Sequence, residues 1–166
     1  QLDFKATREA GQRKIAHPGT FNANLLSAVT GSKALEILGG SDIFAKVNEK
    51  GEQFRQQLNQ VLADLKLKWA VYGTYSGFHL FTNSQNRNIE SVNFDPAEIP
   101  LSELTENDAT ILPPLRLALL INGVDTSPRF SGFLSASHGA TELEQTAVAF
   151  RLALELLIDE GIVETP

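Results

Sequence analysis

The chain has 166 residues, 42% of them hydrophobic and 20% charged, with a formal net charge of −6 and a pI near 5.0. Such a composition suits one soluble domain able to bury about 70% of its unfolded surface. The acidic balance, the absence of cysteine and the lack of a long apolar run argue against a nucleic-acid footprint, a disulfide frame, a thiolate metal site, a signal peptide and a membrane span. A cytoplasmic protein fits these properties best. Methionine is also absent, so a chain opening on Gln1 is expected to lack an upstream region.

Residues 1–16 are polar and mixed in charge, as expected for a helix or strand whose packing partner lies upstream. His17-Pro18-Gly19-Thr20-Phe21-Asn22-Ala23-Asn24 then forms the centre of the reading. Gly19 permits a tight bend, and a helix is expected to begin near Asn22 or Asn24. The first N–H groups of a helix lack internal partners and favour an anion, with the Thr20 hydroxyl a further donor to a phosphate. The plainer alternative is that Thr20 or an asparagine is simply the helix N-cap.

The spacing predicts a helix over 22–38, with Leu25, Ala28, Val29 and Leu35 on one face and Leu26 and Ile37 widening it. Gly39-Gly40 ends it. Ser41 or Asp42 caps a second helix, in which Phe44, Val47, Gly51, Phe54, Leu58, Val61 and Leu65 recur by threes and fours. Glu49, Lys50, Glu52, Arg55, Gln56 and Asn59 are expected on its solvated face. Residues 69–72 and 78–82 read as strands joined by a turn at 73–77. His79, in the second strand, is expected to be satisfied by local hydrogen bonding. Residues 83–107 have no clear period and read as a disordered stretch or an insertion. Pro113-Pro114 opens a helix that Gly123 closes. Short strands are expected at 124–126 and 132–136, then a last helix capped by Thr141 with Glu144 and stopped by Gly161. The element order predicts an α+β layer: a small, mainly antiparallel sheet covered by helices on one side.

Two blocks carry a family likeness. HPGTFNANLLSAVTGSKALEIL resembles the segment that opens the C-terminal part of class III aminotransferases, including the glutamate-1-semialdehyde aminomutase-like branch. LRLALLINGVDTSPRFSGFLSASH, about a hundred residues on, resembles the closing helix, strand and loop of the same family. The resemblance implies the C-terminal small domain of a fold type I pyridoxal-phosphate (PLP) enzyme, over 39–166, with 1–38 as interdomain segment and linking helix. It also implies a homodimer, a missing N-terminal large domain, and transfer of an amino group from a small-molecule donor to a carbonyl acceptor.

The Schiff-base lysine and the acid that meets the pyridine nitrogen stand upstream of HPGTF in that family. No catalytic residue is therefore expected here, and the chain alone should be inactive. What the resemblance carries over is Thr20, which in the family reaches the PLP phosphate of the other subunit, and Gly19 beside it. His17 and Asn22 fall in the same segment as supporting positions. Arg129 is a candidate for a substrate carboxylate, since guanidinium binds one bidentately. Arg129-Phe130-Ser131-Gly132-Phe133 departs from the aminomutase pattern Phe-Glu-Ala-Gly-Phe by lacking the glutamate, which favours an aminotransferase over a mutase. Ser135 and His138 match a Ser-x-x-His pattern in the closing block, with His138 expected to be a turn residue. A free-standing, non-catalytic α+β module and a domain cut from a multifunctional synthetase are the competing readings.

Overall fold

The computed structural model describes residues 19–20, 22, 24–106 and 108–164. The chain divides into two compact units, residues 1–41 and 42–166. His17, Pro18 and Phe21 lie outside the described residues, as does the expected element over 1–16.

In the first unit, helix α1 runs Leu25–Gly39. It starts later than the spacing suggests because Asn24 is its cap: with extended backbone, its side chain accepts the Ser27 N–H at 3.1 Å. None of the residues of α1 is buried. At the other end, the Gly40 N–H closes onto the carbonyl of Glu36.

The second unit is built from α2 (Ile43–Asp64), β1 (Ala70–Tyr72), β2 (Gly77–Phe81), a 3-10 turn over 96–98, the single-turn α3 (Leu101–Leu104), α4 (Leu112–Ile121), β3 (Ser131–Phe133) and α5 (Ala140–Asp159). The strands form one antiparallel sheet in the order β1-β2-β3, with Tyr72 opposite His79 and His79 opposite Ser131. The expected α+β fold is thus present. The strand foreseen at 124–126 is not, because those residues form an irregular connection out of α4.

α2 packs on one face of the sheet, α5 packs on α2, and α4 packs on α5. Phe78 and Leu80 join Phe54, Leu58, Leu62, Leu115, Leu119, Phe150 and Leu154 in a single core. At about 25 cal/mol per Å² of apolar surface, burial of these side chains is the main stabilising term. Phe130 enters the same core, stacked on Phe150 with ring centroids 4.7 Å apart.

Two expectations about α2 change. Phe44 points to solvent, at 59% exposure, whereas Asn59 is buried rather than on the solvated face. Asn59 accepts the Val71 N–H at 2.6 Å and donates to the Val71 carbonyl at 2.9 Å. Since β1 is an edge strand, this amide satisfies backbone groups that no neighbouring strand reaches. Arg55 and Lys50 on the same helix also donate to carbonyls, Arg55 to Tyr75 and Gly77 and Lys50 to Ala136 and His138. The polar side of α2 therefore fastens loops. Gly51 shows how close the approach is: a Cβ there would stand 2.2 Å from the Tyr75 carbonyl oxygen.

The segment 83–107 is not a disordered stretch in its described residues, since it is tied to the sheet. Asn83 donates to the carbonyls of Lys68 and Arg87, Ser91 to Leu67, and Arg87 forms a two-pronged ion pair with Glu103 at 2.6 Å for each prong. Phe94 stacks on Phe81 at 5.4 Å, covering part of the sheet face that the helices leave open. At the start of α5 the cap also differs from expectation. Gly139 occupies the N-cap position, and Glu142 reaches back to its N–H at 2.7 Å, so Thr141 and Glu144 play no such part. Among the described residues no helix is long and apolar enough to cross a membrane.

Candidate functional site

Gly19 and Thr20 lie in a turn closed by the Asn22 N–H donating to the Gly19 carbonyl at 3.1 Å. A Cβ on Gly19 would sit 2.6 Å from the Asn22 side-chain oxygen, so a larger residue would displace that side chain. Asn24, not Thr20, caps α1. Thr20 is exposed, and its hydroxyl makes no hydrogen bond among the described residues. The capping explanation for Thr20 is therefore removed, and its hydroxyl remains a donor for something else. Thr20 also stands five residues before the first helical residue, so the turn itself, not the first helical N–H groups, is what presents it.

Arg129 sits in a second, separately built place. The described arginines Arg55, Arg87, Arg116 and Arg151 are all engaged: Arg55 with carbonyls, and the others with Glu103, Asp125 and Asp64 respectively. Arg129 is exposed and makes no such contact among the described residues. Its backbone is held on both sides. Ser127 Oγ donates to the Ser131 carbonyl at 2.7 Å and accepts the Ser131 N–H at 3.0 Å. Phe130, fully packed in the core, adopts a left-handed backbone with φ of 47°. That conformation is strained for a bulky side chain and persists because the aromatic ring has nowhere else to go. The backbone on the C-terminal side of Arg129 is thereby held in place.

A cavity of about 220 Å³ opens beside it, lined among others by Arg129, His79, Tyr72, Ser131, Leu104 and Glu106. Burial pushes the Tyr72 phenol above its ordinary value, and its hydroxyl donates to the Leu104 carbonyl at 3.0 Å. His79 is exposed and makes no hydrogen bond among the described residues. The sequence reading of His79 as locally satisfied is thus corrected. Its position was missed because a strand histidine looks the same in sequence whether it faces a core or a cavity. His138 behaves as a turn residue: its Nδ1 accepts the Ser135 N–H at 2.9 Å while Lys50 holds its carbonyl at 2.6 Å. Glu142 just beyond it is held below the usual carboxylate range by the backbone N–H groups of Glu142 itself and of Gly139.

No family model matches the chain. It is 29% identical over 148 residues, 88% of its length, to the glutamate-1-semialdehyde 2,1-aminomutase of Methanothrix thermoacetophila, covering 32% of that protein. It is 31% identical over 138 residues, 81% of its length, to the enzyme of that name from Methanothermobacter thermautotrophicus, covering 30% of it. The chain therefore spans about a third of the length of the curated relatives it matches. Among solved structures, a transaminase with PLP bound superimposes with a TM-score of 0.66 at 27% identity, over 90% of this chain and 31% of that one. An omega-transaminase from Sphaerobacter thermophilus gives 0.65 at 26%, over 88% and 31%. The β-phenylalanine aminotransferase of Variovorax paradoxus gives 0.69 over 99% of this chain and 35% of that one at 21% identity, a likeness of fold. The fold described above is thus the small domain of fold type I PLP transaminases.

Proposed function

We propose that this chain is the C-terminal portion of a cytoplasmic, PLP-dependent class III aminotransferase, working with an N-terminal large domain and as a homodimer. The observation that carries this reading is the likeness to transaminases and aminomutases over some nine-tenths of this chain but only a third of theirs. Bound PLP supplies the electron sink through which an amino group is exchanged for a carbonyl oxygen.

The residues of this chain contribute binding. The turn at Gly19 presents the Thr20 hydroxyl, unspent by any cap, to donate to a phosphate oxygen of the cofactor in the partner subunit. Arg129 takes a substrate carboxylate through two parallel N–H bonds. The lysine that carries the cofactor belongs to the rest of the protein. This chain alone is therefore expected to show neither PLP absorbance shift nor transamination.

Titration of PLP into the complete protein tests the reading. Thr20→Ala removes one hydrogen bond to a charged group, about 1.5–3 kcal/mol, hence a roughly ten- to hundredfold loss of PLP affinity, and Thr20→Ser keeps most of it. Unchanged affinity in Thr20→Ala refutes the phosphate role. A mutase is the second reading, favoured by the names of the curated relatives. The missing glutamate in Arg129-Phe130-Ser131-Gly132-Phe133 opposes it. Turnover of glutamate-1-semialdehyde without any added amino donor would decide for the mutase.

A further inference from the structure

His79 occupies the central strand, and its two cross-strand neighbours are Tyr72 and Ser131. Directly opposed residues in a sheet share a face, so Tyr72, His79 and Ser131 form one row. Phe78 and Leu80, on either side of His79, point into the core, which places this row on the opposite face of the sheet, where α3 meets Tyr72 through the Leu104 carbonyl. Phe94 covers part of that face, lying over Phe81 and Tyr72, and leaves the end nearest Arg129 open. The His79 ring lies 5.4 Å from that of Tyr72, which limits its rotation, and the Tyr72 hydroxyl is already committed to Leu104. An imidazole and a guanidinium, neither with a hydrogen-bond or ion-pair partner among the described residues, therefore line one small cavity.

We infer that His79 is a second ligand of the anion held by Arg129, and that together they form a subsite for the carboxylate of a small aliphatic acid. This inference rests on the substrate-binding role proposed for Arg129. Arg129 offers the fork that suits a planar carboxylate, and the imidazole N–H reaches a remaining lone pair. The volume of about 220 Å³ suits an acid of a few carbons. Glu106 lines the same cavity, and its negative charge suits an ammonium or a hydroxyl on the ligand. The subsite is thus a selectivity element: it favours substrates carrying a carboxylate over uncharged amines and aldehydes.

Titration of the complete protein with succinate, followed by NMR of the His79 ring and the Arg129 Nε–H, tests this directly. Three charge-assisted bonds, two from Arg129 and one from His79, support millimolar affinity, and losing the one from His79 weakens binding roughly tenfold. Saturable shifts are expected with succinate, weaker ones with inorganic phosphate, and none with succinamide. Arg129→Gln should abolish binding, His79→Leu should weaken it roughly tenfold and His79→Gln should restore most of it. Melting curves should be unchanged, since both side chains are exposed. If Arg129→Gln abolishes binding and His79→Leu leaves it intact, the role of His79 is overturned while that of Arg129 stands. If succinate gives no saturable shift, or Arg129→Gln has no effect, both fall. Tighter binding of phosphate than of succinate overturns the carboxylate assignment.

Discussion

Helices α1 and α5 are both rich in leucine, alanine and isoleucine or valine, yet they stand at opposite ends of burial. In α5, Leu143, Ala149, Phe150, Ala153, Leu154 and Leu157 are buried, while Val148 and Leu152 face outward. In α1 nothing is buried, and Leu25, Leu26, Val29, Leu35 and Ile37 are between 57% and 77% exposed. A helix apolar on all sides is normally an interior helix. The contrast teaches that apolar content states a demand for burial without saying what meets it. For α5 the helices α2 and α4 meet it; for α1 the proposed large domain and partner subunit would.

The strongest way to test that contrast is to truncate equivalent leucines. Leu58→Ala, at a site with no exposure, should cost about 2–5 kcal/mol in urea unfolding, the lost transfer energy plus a cavity. Next comes Gly51→Ala, whose new methyl meets the Tyr75 carbonyl and should cost about 1–3 kcal/mol by forcing α2 off the β1–β2 turn. Asn59→Ala leaves both backbone groups of Val71 without partners, for about 1–3 kcal/mol, with faster amide exchange at Val71 as its local signature.

Against these, Leu25→Ala and Leu35→Ala should change unfolding by no more than about 0.5 kcal/mol, because neither side chain is buried. The chain should instead self-associate with concentration, and Leu26→Glu with Val29→Glu should reduce the light scattering. A well-behaved monomer at high concentration would break the comparison. The smallest effect is one of pH. The Arg87 guanidinium holds Glu103 below the usual carboxylate range. A depressed carboxyl contributes stability that is present above its unfolded value and lost as pH falls through the folded one. Proteolysis within 83–107 should therefore rise only at acid pH, and Glu103→Gln should remove that step. The pair is only part-buried, so a modest change is expected.

Local chemistry made much of the fold legible from sequence. The three- and four-residue recurrence in 43–64 and 140–159 yields α2 and α5, Pro113-Pro114 opens α4, and the turn at 73–77 sets β1 against β2. Each of these signals acts over a few residues, so the chain carries it without help from the rest of the fold. The family likeness also drew attention to Gly19, Thr20 and Arg129. Tertiary structure decided the rest, because it depends on partners far away in the chain. Asn59 looks solvated until Val71 arrives twelve residues later with unpaired backbone groups. The loop 83–107 looks unstructured until Arg87 meets Glu103 and Phe94 meets Phe81. His79 looks like an ordinary strand histidine until the register sets it between Tyr72 and Ser131 on the open face. A strand's alternation fixes that two faces exist, but only packing decides which face becomes core and which becomes a cavity wall.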